Sequence, residues 1–574
     1  MSILTLNSDK HDPDRCTESS RQKSKVWGLC LFLLPLLAAG APIFVMAQAI
    51  PPNGPAIPTV TLTESGRGAR RQETPPPPRD WDDQSEWNME LVGFNDLQGR
   101  STYQPIIINQ NGREIAYLAH HAGTAFNPLT GTTEPNGTSL VDVTDPRHPT
   151  YLFHIPGPAG SIDAAGSQMA RVCSGSVLPH GVPGKWYLLR THGNSGPDIE
   201  SQEIYDVTNP THPTLLTVIV DGLSNTHKNW WECDTGIAYL VANKRSEGWH
   251  QSGSNQHLKI YDLSDPAHPV YIRDFGLVGQ QPGPNPSGPC VPGSCEGIVN
   301  PPPGIHGPIS AGVAKNRVYM PYGVGGNGVL QIVDRAKLLD VSKLSKTDLT
   351  SPTAAELLAP QVGYITMSPD QGGHSAFPVY GVPIPEFQKG FSRLNSRDLL
   401  ILVSEGGANQ CFGEGPHMAF LLDITNESTP WPISTLHVPE FPGDFCNKGG
   451  RFGSHAVTES FYAPYYGKLA IISWFNAGVR VWDIRDPFAP RAVAYFIPAP
   501  NANTIANCAT INGVTTCKNA IQTNNVELDD RGLIYIVDRA GTGMHILRLT
   551  GDARRVVTGH DGDDDDRDDH HDDH

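Results

Sequence analysis

Four histidines stand at the same place in four successive, similarly built segments of the chain. The segments NTHKNWWE, GIHGPISAG, GGHSAFPV and GSHAVTES contain His227, His306, His374 and His455. Neutral imidazole is the commonest protein ligand for copper, zinc and iron. If these segments are the same strand of successive repeats, the four imidazoles converge. The spacing therefore predicts a bound transition metal (copper, zinc or iron) or a small molecule between them.

Further polar residues are expected around these histidines. Three other segments, STYQPIII, GSQMARVC and QTNNVELD, place Gln104, Gln168 and Asn524 at the aligned position. Adjacent antiparallel strands run in opposite directions, so the ends of the next strands return to the same side. Those ends carry His120, His121, His192, Glu405 and Arg539. We expect all eight residues to surround and orient the metal ligands. The alternative, that these polar groups only hydrogen-bond to loops and water, stays open, and no catalytic residue is assigned.

The element that positions these residues is a repeated β-hairpin. Its clearest copy, LAIISWFNAGVRVWDIRDPFAP, has two apolar strands, a tight turn and an Asp-Pro stop at residues 486–487. Related copies are LVDVTDPRHP, IYDVTNPTHP, IYDLSDPAHP, LQIVDRAKLL, LLDITNESTP and MHILRLTG. Seven hairpins at a loose period predict an all-β, seven-bladed β-propeller with four-stranded antiparallel blades over residues 81–551. In this fold the aligned histidines face the central channel at one mouth.

Six of the hairpins end their second strand in an aspartate. These residues are Asp142, Asp206, Asp262, Asp334, Asp423 and Asp483, and Arg548 takes the place in the seventh. A residue repeated in every blade is typical of a turn, where its carboxylate accepts bonds from backbone N–H groups. We therefore interpret these aspartates as structural rather than catalytic.

The two ends of the repeat region complement each other. The segment NMELVGFN (residues 88–95) has the pattern of an outer strand but no hairpin of its own, and the last repeat ends at Gly551 without an outer strand. We expect the N-terminal strand to complete the C-terminal blade, which closes the ring and removes open sheet edges.

The remaining segments lie outside the propeller. Three basic residues up to Lys25 precede an uncharged run over residues 26–46 and an Ala-Gln-Ala site, so residues 1–49 are a signal peptide or an N-terminal membrane anchor. Either way the protein is exported, to the periplasm or medium or held at the membrane by residues 26–46. Residues 50–80 form a Pro-rich linker, and residues 552–574 a disordered Asp/His-rich tail.

Charge and cysteine content agree with an exported body. The last fourteen residues contribute −8 of the net charge of −17, so the body is only mildly acidic and nucleic acid is excluded as a partner. A helical His-Glu-x-x-His motif is absent from the sequence, which excludes a zincin. Eight cysteines follow the N-terminal segment, and strand placement predicts four disulfides. The predicted pairs are Cys173–Cys233, Cys290–Cys295, Cys411–Cys446 and Cys508–Cys517.

The strings TSLVDVTDP, EIYDVTNP, KIYDLSDP, VLQIVDR and VRVWDIRDP resemble the LVIVD-repeat proteins, exported prokaryotic β-propellers of mostly unassigned function. The similarity covers about residues 88–551. A more distant similarity, in the form of the clearest hairpin and in the inner-strand histidines, is to the selenium-binding protein family, which includes copper-dependent methanethiol oxidases. No catalytic signature of that family matches residue by residue. The resemblance implies a histidine-bound metal and leaves the substrate open.

Two functions from different classes remain. The first is a metal-dependent enzyme, oxidase-like towards a small molecule, with the four histidines as ligands or proton carriers. The second is a non-catalytic propeller of the cell envelope that binds a protein or another ligand. In both cases the membrane is contacted only through the N-terminal segment, if that segment is not cleaved.

Overall fold

The computed structural model describes residues 84–158, 166–193, 198–250, 256–283, 302–383, 396–409 and 414–559, all within the unit Pro52–His574. The expected signal or anchor, the linker, Cys290, Cys295 and Cys411 lie outside these ranges, as does the tail from residue 560. Among the helices of the described residues, none is long and apolar enough to cross a membrane.

The described strands form seven small four-stranded antiparallel blades in a ring, which confirms the predicted seven-bladed β-propeller. The chain begins with β1 (Ser85–Trp87) and β2 (Met89–Asn95). Blade 1 contains β3 (Thr102–Gln110), β4 (Arg113–His121), β7 (Thr138–Asp142) and β8 (Thr150–Ile155). Its loops carry a small hairpin of β5 (Thr124–Asn127) and β6 (Thr132–Pro135), and β9 (Gly166–Ser167), which pairs with β4.

Blades 2 to 4 follow in chain order. Blade 2 contains β10 (Ala170–Ser174), β11 (Trp186–His192), β12 (Glu200–Asp206) and β13 (Thr214–Leu223). Blade 3 contains β14 (Trp230–Trp231), β15 (Ile237–Ala242), β16 (His257–Asp262) and β17 (Val270–Phe275). Blade 4 contains β18 (Ile309–Ser310), β19 (Arg317–Tyr322), β20 (Val329–Asp334) and β21 (Gln361–Thr366). Its connections carry α1 (Gly312–Lys315), α2 (Arg335–Leu339), α3 (Lys346–Thr350) and α4 (Ala354–Leu358).

Blades 5 to 7 complete the ring. Blade 5 contains β22 (Ser375–Pro383), β23 (Ser396–Val403), β24 (Ala419–Asp423) and β25 (Trp431–Leu436), followed by α5 (Phe445–Lys448). Blade 6 contains β26 (Leu469–Ser473), β27 (Val479–Asp483) and β28 (Arg491–Ile497), and its loop carries a hairpin of β29 (Ala506–Ile511) and β30 (Val514–Asn519). Blade 7 contains β31 (Thr523–Leu528), β32 (Ile534–Asp538) and β33 (Met544–Leu549).

Ring closure by the N-terminus is confirmed and extends further than expected. Strand β2 pairs antiparallel with β33, with Met89 opposite Leu549 and Asn95 opposite Met544. The preceding β1 pairs with β28, so the N-terminal segment also supplies the outer strand of blade 6. At the channel end of blade 6, an extended segment takes the innermost place, where the His455 N–H donates to Ser473 O at 3.0 Å. This segment is the predicted inner strand GSHAVTES.

The core lies between the blades. Strands β15 and β26 are buried at every position, because both faces of an inner strand pack against neighbouring blades. One continuous apolar cluster runs from Trp230 in blade 3 to Ile521 before blade 7. Such packing on both sides holds the inner strands rigid, and with them the side chains that point into the channel.

The structure confirms the turn role of the repeated aspartates. The carboxylates of Asp142, Asp206, Asp262, Asp423 and Asp483 each accept the N–H two residues further on, at 2.8–3.1 Å. Asp334 instead accepts from the Lys337 N–H at 3.0 Å and caps α2. These bonds satisfy backbone donors that leave the strand ladder.

Two of the predicted disulfides are confirmed. Cys173–Cys233 joins blade 2 to blade 3, and Cys508–Cys517 ties the β29–β30 hairpin. Cys446 is also disulfide-bonded, but its predicted partner lies outside the described residues, as does the Cys290–Cys295 pair.

The expected start of the tail at residue 552 is wrong. The chain continues as α6 (Gly551–Thr558), which packs against β27 and β28. Ala553 and Val556, three residues apart on one helix face, are buried in the apolar cluster between blades 6 and 7. This burial orders a segment that the sequence analysis assigned to the tail.

Candidate functional site

The four aligned histidines form an arc at the channel mouth. Consecutive imidazole rings of His227, His306, His374 and His455 have centroid separations of 4.0, 4.2 and 4.2 Å and are tilted by 42–46°. Each comes from the beginning of the innermost segment of blades 3, 4, 5 and 6. We call these four residues the histidine arc. The four residues that the sequence register aligned therefore lie next to one another.

Tyr103, which the sequence did not single out, closes the arc. Its ring contacts those of His121, His227 and His455 at centroid distances of 5.2–5.6 Å, and its hydroxyl lies 3.2 Å from His374 Nε2. A bulge between residues 102 and 104 of β3 puts Tyr103 in this position. In the sequence Tyr103 directly precedes Gln104, the residue that the alignment selected, so the alignment missed Tyr103 by one position.

The bulge moves Gln104 away from the mouth. Its Nε2 lies 3.5 Å from Glu459 Oε2, and it does not line the mouth cavity. The prediction that Gln104 supports the histidines directly is therefore wrong, because a single inserted residue changes which side chain faces the axis.

Glu405 places a carboxylate among the imidazoles. Its oxygens lie 3.7 Å from His374 Nε2 and 3.8 Å from His455 Nε2, and 2.9 Å from Arg451 Nη1. His306, His374 and Glu405 each offer one ligand atom within 4.8 Å of the others. Burial raises the pKa of Glu405, against the opposing charges of Arg451 and Arg539. The carboxylate lies closer to the histidines than its predicted supporting role required.

Burial keeps the histidine arc uncharged. It lowers the pKa of His227 to about 3 and holds the pKa of His306, His374 and His455 well below the usual value, with neighbouring cationic groups adding to the effect. At neutral pH these rings are therefore neutral and carry lone pairs, the form that binds metal.

The hydrogen bonds of the arc leave ring nitrogens available. His455 Nδ1 donates to the Asn524 carbonyl at 2.6 Å, which leaves a lone pair on Nε2, the atom that faces Glu405. Neither nitrogen of the buried His306 ring, nor Nδ1 of His227, has a hydrogen-bond partner among the described residues. Asn524 therefore contacts the arc through its backbone oxygen, while its side-chain amide donates to Tyr103 O.

The other predicted residues divide into two groups. His121, Gln168 and Arg539 line the mouth, and Gln168 Nε2 lies 3.1 Å from His121 Nδ1. His120 instead lies inside blade 1 between the hydroxyls of Thr102 and Ser139, and His192 pairs with Glu203. Neither lines the mouth, because successive or bulged strand residues face opposite sides. For these two residues the predicted placement is wrong.

A buried charge cluster lies next to the arc along the channel. Lys228, which follows His227, places Nζ 2.5 Å from Glu459 Oε1, and Arg171 binds the other oxygen of Glu459. Burial alone would raise the pKa of Glu459, but the two cations hold it at about 2. Burial and the adjacent Glu459 raise the pKa of Glu527 to about 7. The sequence gave no signal for this cluster, since its members come from four separate blades.

The mouth encloses a cavity of about 240 Å³. Its lining consists of Tyr103, His121, Gln168, Asn225, Thr226, His227, Gln256, His306, Val324, His374, Glu405, Gly407, Arg451, His455 and Arg539. Among these described residues Glu405 is the only carboxylate, and only the valine and the glycine lack a polar side-chain group. The cavity suits a small polar ligand rather than an apolar one.

A second group of ligand-type side chains lies in blade 3. Glu247, His257 and Asp274 bring ligand atoms within 4.8 Å of one another. Lys259 Nζ lies among them, 2.6 Å from Glu247 and 2.9 Å from Asp274. We call Glu247, His257 and Asp274 the blade-3 cluster. The cation that lies among them is the ammonium group of Lys259.

Neither a protein-family model nor a curated protein matches the chain. Solved structures that are similar in fold include Sqt1 from Chaetomium thermophilum, with a TM-score of 0.41 and 11% identity over 80% of this chain and 99% of that chain. Hydrazine synthase from Kuenenia stuttgartiensis has a TM-score of 0.35 and 12% identity over 67% and 78%. An α-L-arabinofuranosidase of Fusarium graminearum has a TM-score of 0.35 and 10% identity over 72% and 98%. At these values the similarity carries no argument about fold or activity.

Proposed function

We propose that the channel mouth binds one transition-metal ion, copper, zinc or iron, and that the protein uses it for oxidase-like chemistry on a small molecule. His306, His374 and Glu405 are the central ligands, since their donor atoms already gather within 4.8 Å. His227 and His455 flank them and complete the histidine arc.

The observation that carries the proposal is the His306 ring. It is 4% exposed, and neither ring nitrogen has a hydrogen-bond partner among the described residues. Leaving a buried polar group without a partner costs about 1–3 kcal/mol, and a metal ion would remove that cost. His455 supports the same conclusion, because a metal-binding histidine usually donates its second nitrogen to a carbonyl.

The residues around the arc have defined roles in this proposal. The Asn524 carbonyl orients the His455 imidazole, and Glu405 offsets part of the metal charge. The Tyr103 hydroxyl holds His374 Nε2 until an ion takes its place. A bound copper or iron ion would pass electrons from the small molecule to an oxidant such as dioxygen, as oxidase-like chemistry requires. Zinc has no redox chemistry and would only polarise the small molecule.

The proposed function includes export of the protein from the cytoplasm. Two structural disulfides, with Cys446 in a further one, are typical of oxidising compartments. The predicted signal, the LVIVD resemblance and the periplasmic or secreted location remain expectations that rest on the sequence.

The test is elemental mass spectrometry on the full exported chain. We expect about one equivalent of copper, zinc or iron, lost in the double variant His306→Ala/His374→Ala and reduced in Glu405→Gln. The matched control is His148→Ala/His268→Ala, which removes two exposed turn histidines and leaves the tail in place. Circular dichroism establishes that each variant is folded.

Metal-free protein, also after reconstitution, would contradict the proposal. Equal metal in the wild type and the folded arc variants would do the same, because the metal would then lie outside the arc, in the Asp/His-rich tail or the blade-3 cluster. Either result favours the alternative of a non-catalytic propeller that binds a partner at the cell envelope.

A further inference from the structure

Gln256 joins the two segments that carry the first two histidines of the arc. Its backbone oxygen accepts the Ile305 N–H at 3.2 Å, one residue before His306. Its side-chain Nε2 donates to the Asn225 carbonyl at 3.1 Å, two residues before His227. Gln256 is 3% exposed and lines the mouth cavity. Its position beside the arc is therefore fixed twice, by its backbone and by its side chain.

The bond to Asn225 decides which way the Gln256 amide faces. A backbone carbonyl only accepts hydrogen bonds, so the side-chain atom next to it has to be nitrogen and the other has to be oxygen. That oxygen, Oε1, is buried and has no hydrogen-bond partner among the described residues. Gln256 therefore presents an acceptor that needs an O–H or N–H donor.

Thr226 adds a hydroxyl to the lining of the same cavity. Its backbone N–H donates to Glu200 Oε2 at 2.6 Å, which holds the residue in place. Its side-chain Oγ1 is buried and also has no hydrogen-bond partner among the described residues. A Cβ at Gly193 would lie 2.8 Å from this oxygen, so the glycine leaves room for the hydroxyl. The hydroxyl hydrogen needs an acceptor, and its oxygen can accept a further bond.

A hydroxyl group on a ligand meets both requirements. It can donate to Gln256 Oε1 and accept from Thr226 Oγ1, because a hydroxyl both donates and accepts. A carboxylate only accepts and leaves the glutamine oxygen unpartnered, whereas an ammonium group only donates and leaves the threonine hydrogen unpartnered. The cavity volume of about 240 Å³, roughly eight water molecules at about 30 Å³ each, limits the ligand to a small molecule.

We propose that the channel mouth binds a small alcohol, whose hydroxyl is recognised by the Gln256 oxygen and the Thr226 hydroxyl. Both residues lie beside the arc, since Thr226 directly precedes His227 and the Gln256 backbone is bonded to the residue before His306. This names the class of small molecule that the proposed metal site takes, and it therefore rests on the proposed function.

The probe is propan-2-ol, with acetone as an analogue that has the same heavy-atom skeleton but only accepts hydrogen bonds. Ligand-observed NMR titration of the full exported chain, with and without added zinc, measures the binding of both. We expect propan-2-ol to bind about tenfold more tightly than acetone, because acetone leaves the buried Gln256 oxygen without a donor. In Thr226→Val, which replaces the hydroxyl by a methyl group, propan-2-ol binding should weaken about tenfold.

Thr226→Val is the principal variant because the hydroxyl that it removes has no bond to lose among the described residues. The thermal midpoint of the ligand-free variant should therefore stay level or rise. The matched control is Thr504→Val, which changes a buried threonine outside the mouth whose hydroxyl accepts the Asn501 N–H at 2.8 Å. The midpoint of this control should fall, and its propan-2-ol binding should equal that of the wild type.

Three results would overturn this inference alone: equal binding of propan-2-ol and acetone, unchanged propan-2-ol binding in folded Thr226→Val, or a lower midpoint of that variant without ligand. The last result would show that the hydroxyl already has a partner within the protein. Metal content is measured on the same samples. Protein that stays metal-free after reconstitution, but whose propan-2-ol binding still depends on Thr226, would instead overturn the proposed metal site and leave the alcohol site in place.

Discussion

The histidine arc and the blade-3 cluster gather similar ligand atoms yet differ in how their polar groups are partnered. In the blade-3 cluster Lys259 bonds both carboxylates, and His257 Nε2 lies 3.3 Å from Asp274. In the arc the imidazoles are uncharged and His306 has no hydrogen-bond partner among the described residues. The comparison shows that proximity of ligand atoms is a weak criterion for a metal site. An unpartnered ring nitrogen does not separate the two groups either, since His257 Nδ1 also has no hydrogen-bond partner among the described residues. The difference is that Lys259 bonds both carboxylates of the blade-3 cluster.

The electrostatics of the blade-3 cluster follow from Lys259. Burial alone would raise the pKa of Asp274, but the hydrogen bond to His257 and the ion pair with Lys259 hold it below its usual value. The ammonium group thus occupies the place that a metal ion would take between the two carboxylates.

The largest expected effect is that of Lys259→Met. It leaves the buried carboxylate of Asp274 beside Glu247 without a cation, and breaking a buried pair in this way costs about 3–5 kcal/mol. Urea unfolding at pH 7 measures the loss. Zinc should restore part of the stability, because the variant leaves the three ligand groups and removes the resident cation.

The matched control is Lys185→Met, which breaks a half-exposed surface pair with Asp206 and should leave the unfolding midpoint nearly unchanged. If folded Lys259→Met does not respond to zinc, the claim that the lysine alone excludes a metal from this cluster is contradicted.

The second prediction concerns the arc itself. Metal at one hundred times its Kd should raise the free energy of unfolding of the wild type by about 2.7 kcal/mol. The double variant His306→Ala/His374→Ala should lose this increment, whereas Glu247→Gln in the blade-3 cluster should retain it. Urea unfolding with and without added metal gives both values. An increment that survives in the double variant would place the stabilising ion elsewhere.

A third prediction uses the buried charge cluster beside the arc. The pKa of Glu527 is about 7 in the folded protein, above the value of about 4.3 for an unperturbed glutamate. The folded state therefore holds a proton between these pH values that the unfolded state has lost. Stability falls as pH rises through this window, and the loss is complete above pH 7.

Glu527→Gln removes this titration. The variant should be more stable than the wild type by about 1–3 kcal/mol at pH 8, with little difference at pH 4. Unfolding measured at both pH values is the test, and Glu86→Gln, an exposed glutamate of β1, is the control. A difference that does not depend on pH would show that Glu527 is already ionised in the folded state.

The sequence predicted the propeller and the arc because both depend on local patterns that repeat. His227, His306, His374 and His455 share one register, and each register is fixed by a strand with two buried faces. Tyr103 was missed because a bulge is one inserted residue with no compositional mark. The pairing of Lys228 with Glu459 was missed because it joins blades far apart in sequence.

The smallest expected effect is that of a change at Tyr103. It tests whether the Tyr103 hydroxyl or a metal ion binds His374 Nε2. In the metal-free protein the Tyr103 hydroxyl bonds His374 Nε2 at 3.2 Å, so Tyr103→Phe should cost about 1 kcal/mol of stability. When His374 binds metal through Nε2, that bond is already lost and the substitution costs nothing. By linkage the variant must bind metal about fivefold more tightly than the wild type. Metal titration followed by isothermal calorimetry measures the ratio, and Tyr462→Phe, which alters a tyrosine packed against the apolar cluster of blades 6 and 7, is the control. A weaker affinity in Tyr103→Phe would mean that the phenol oxygen is itself a ligand, and the arc would then be a five-residue site.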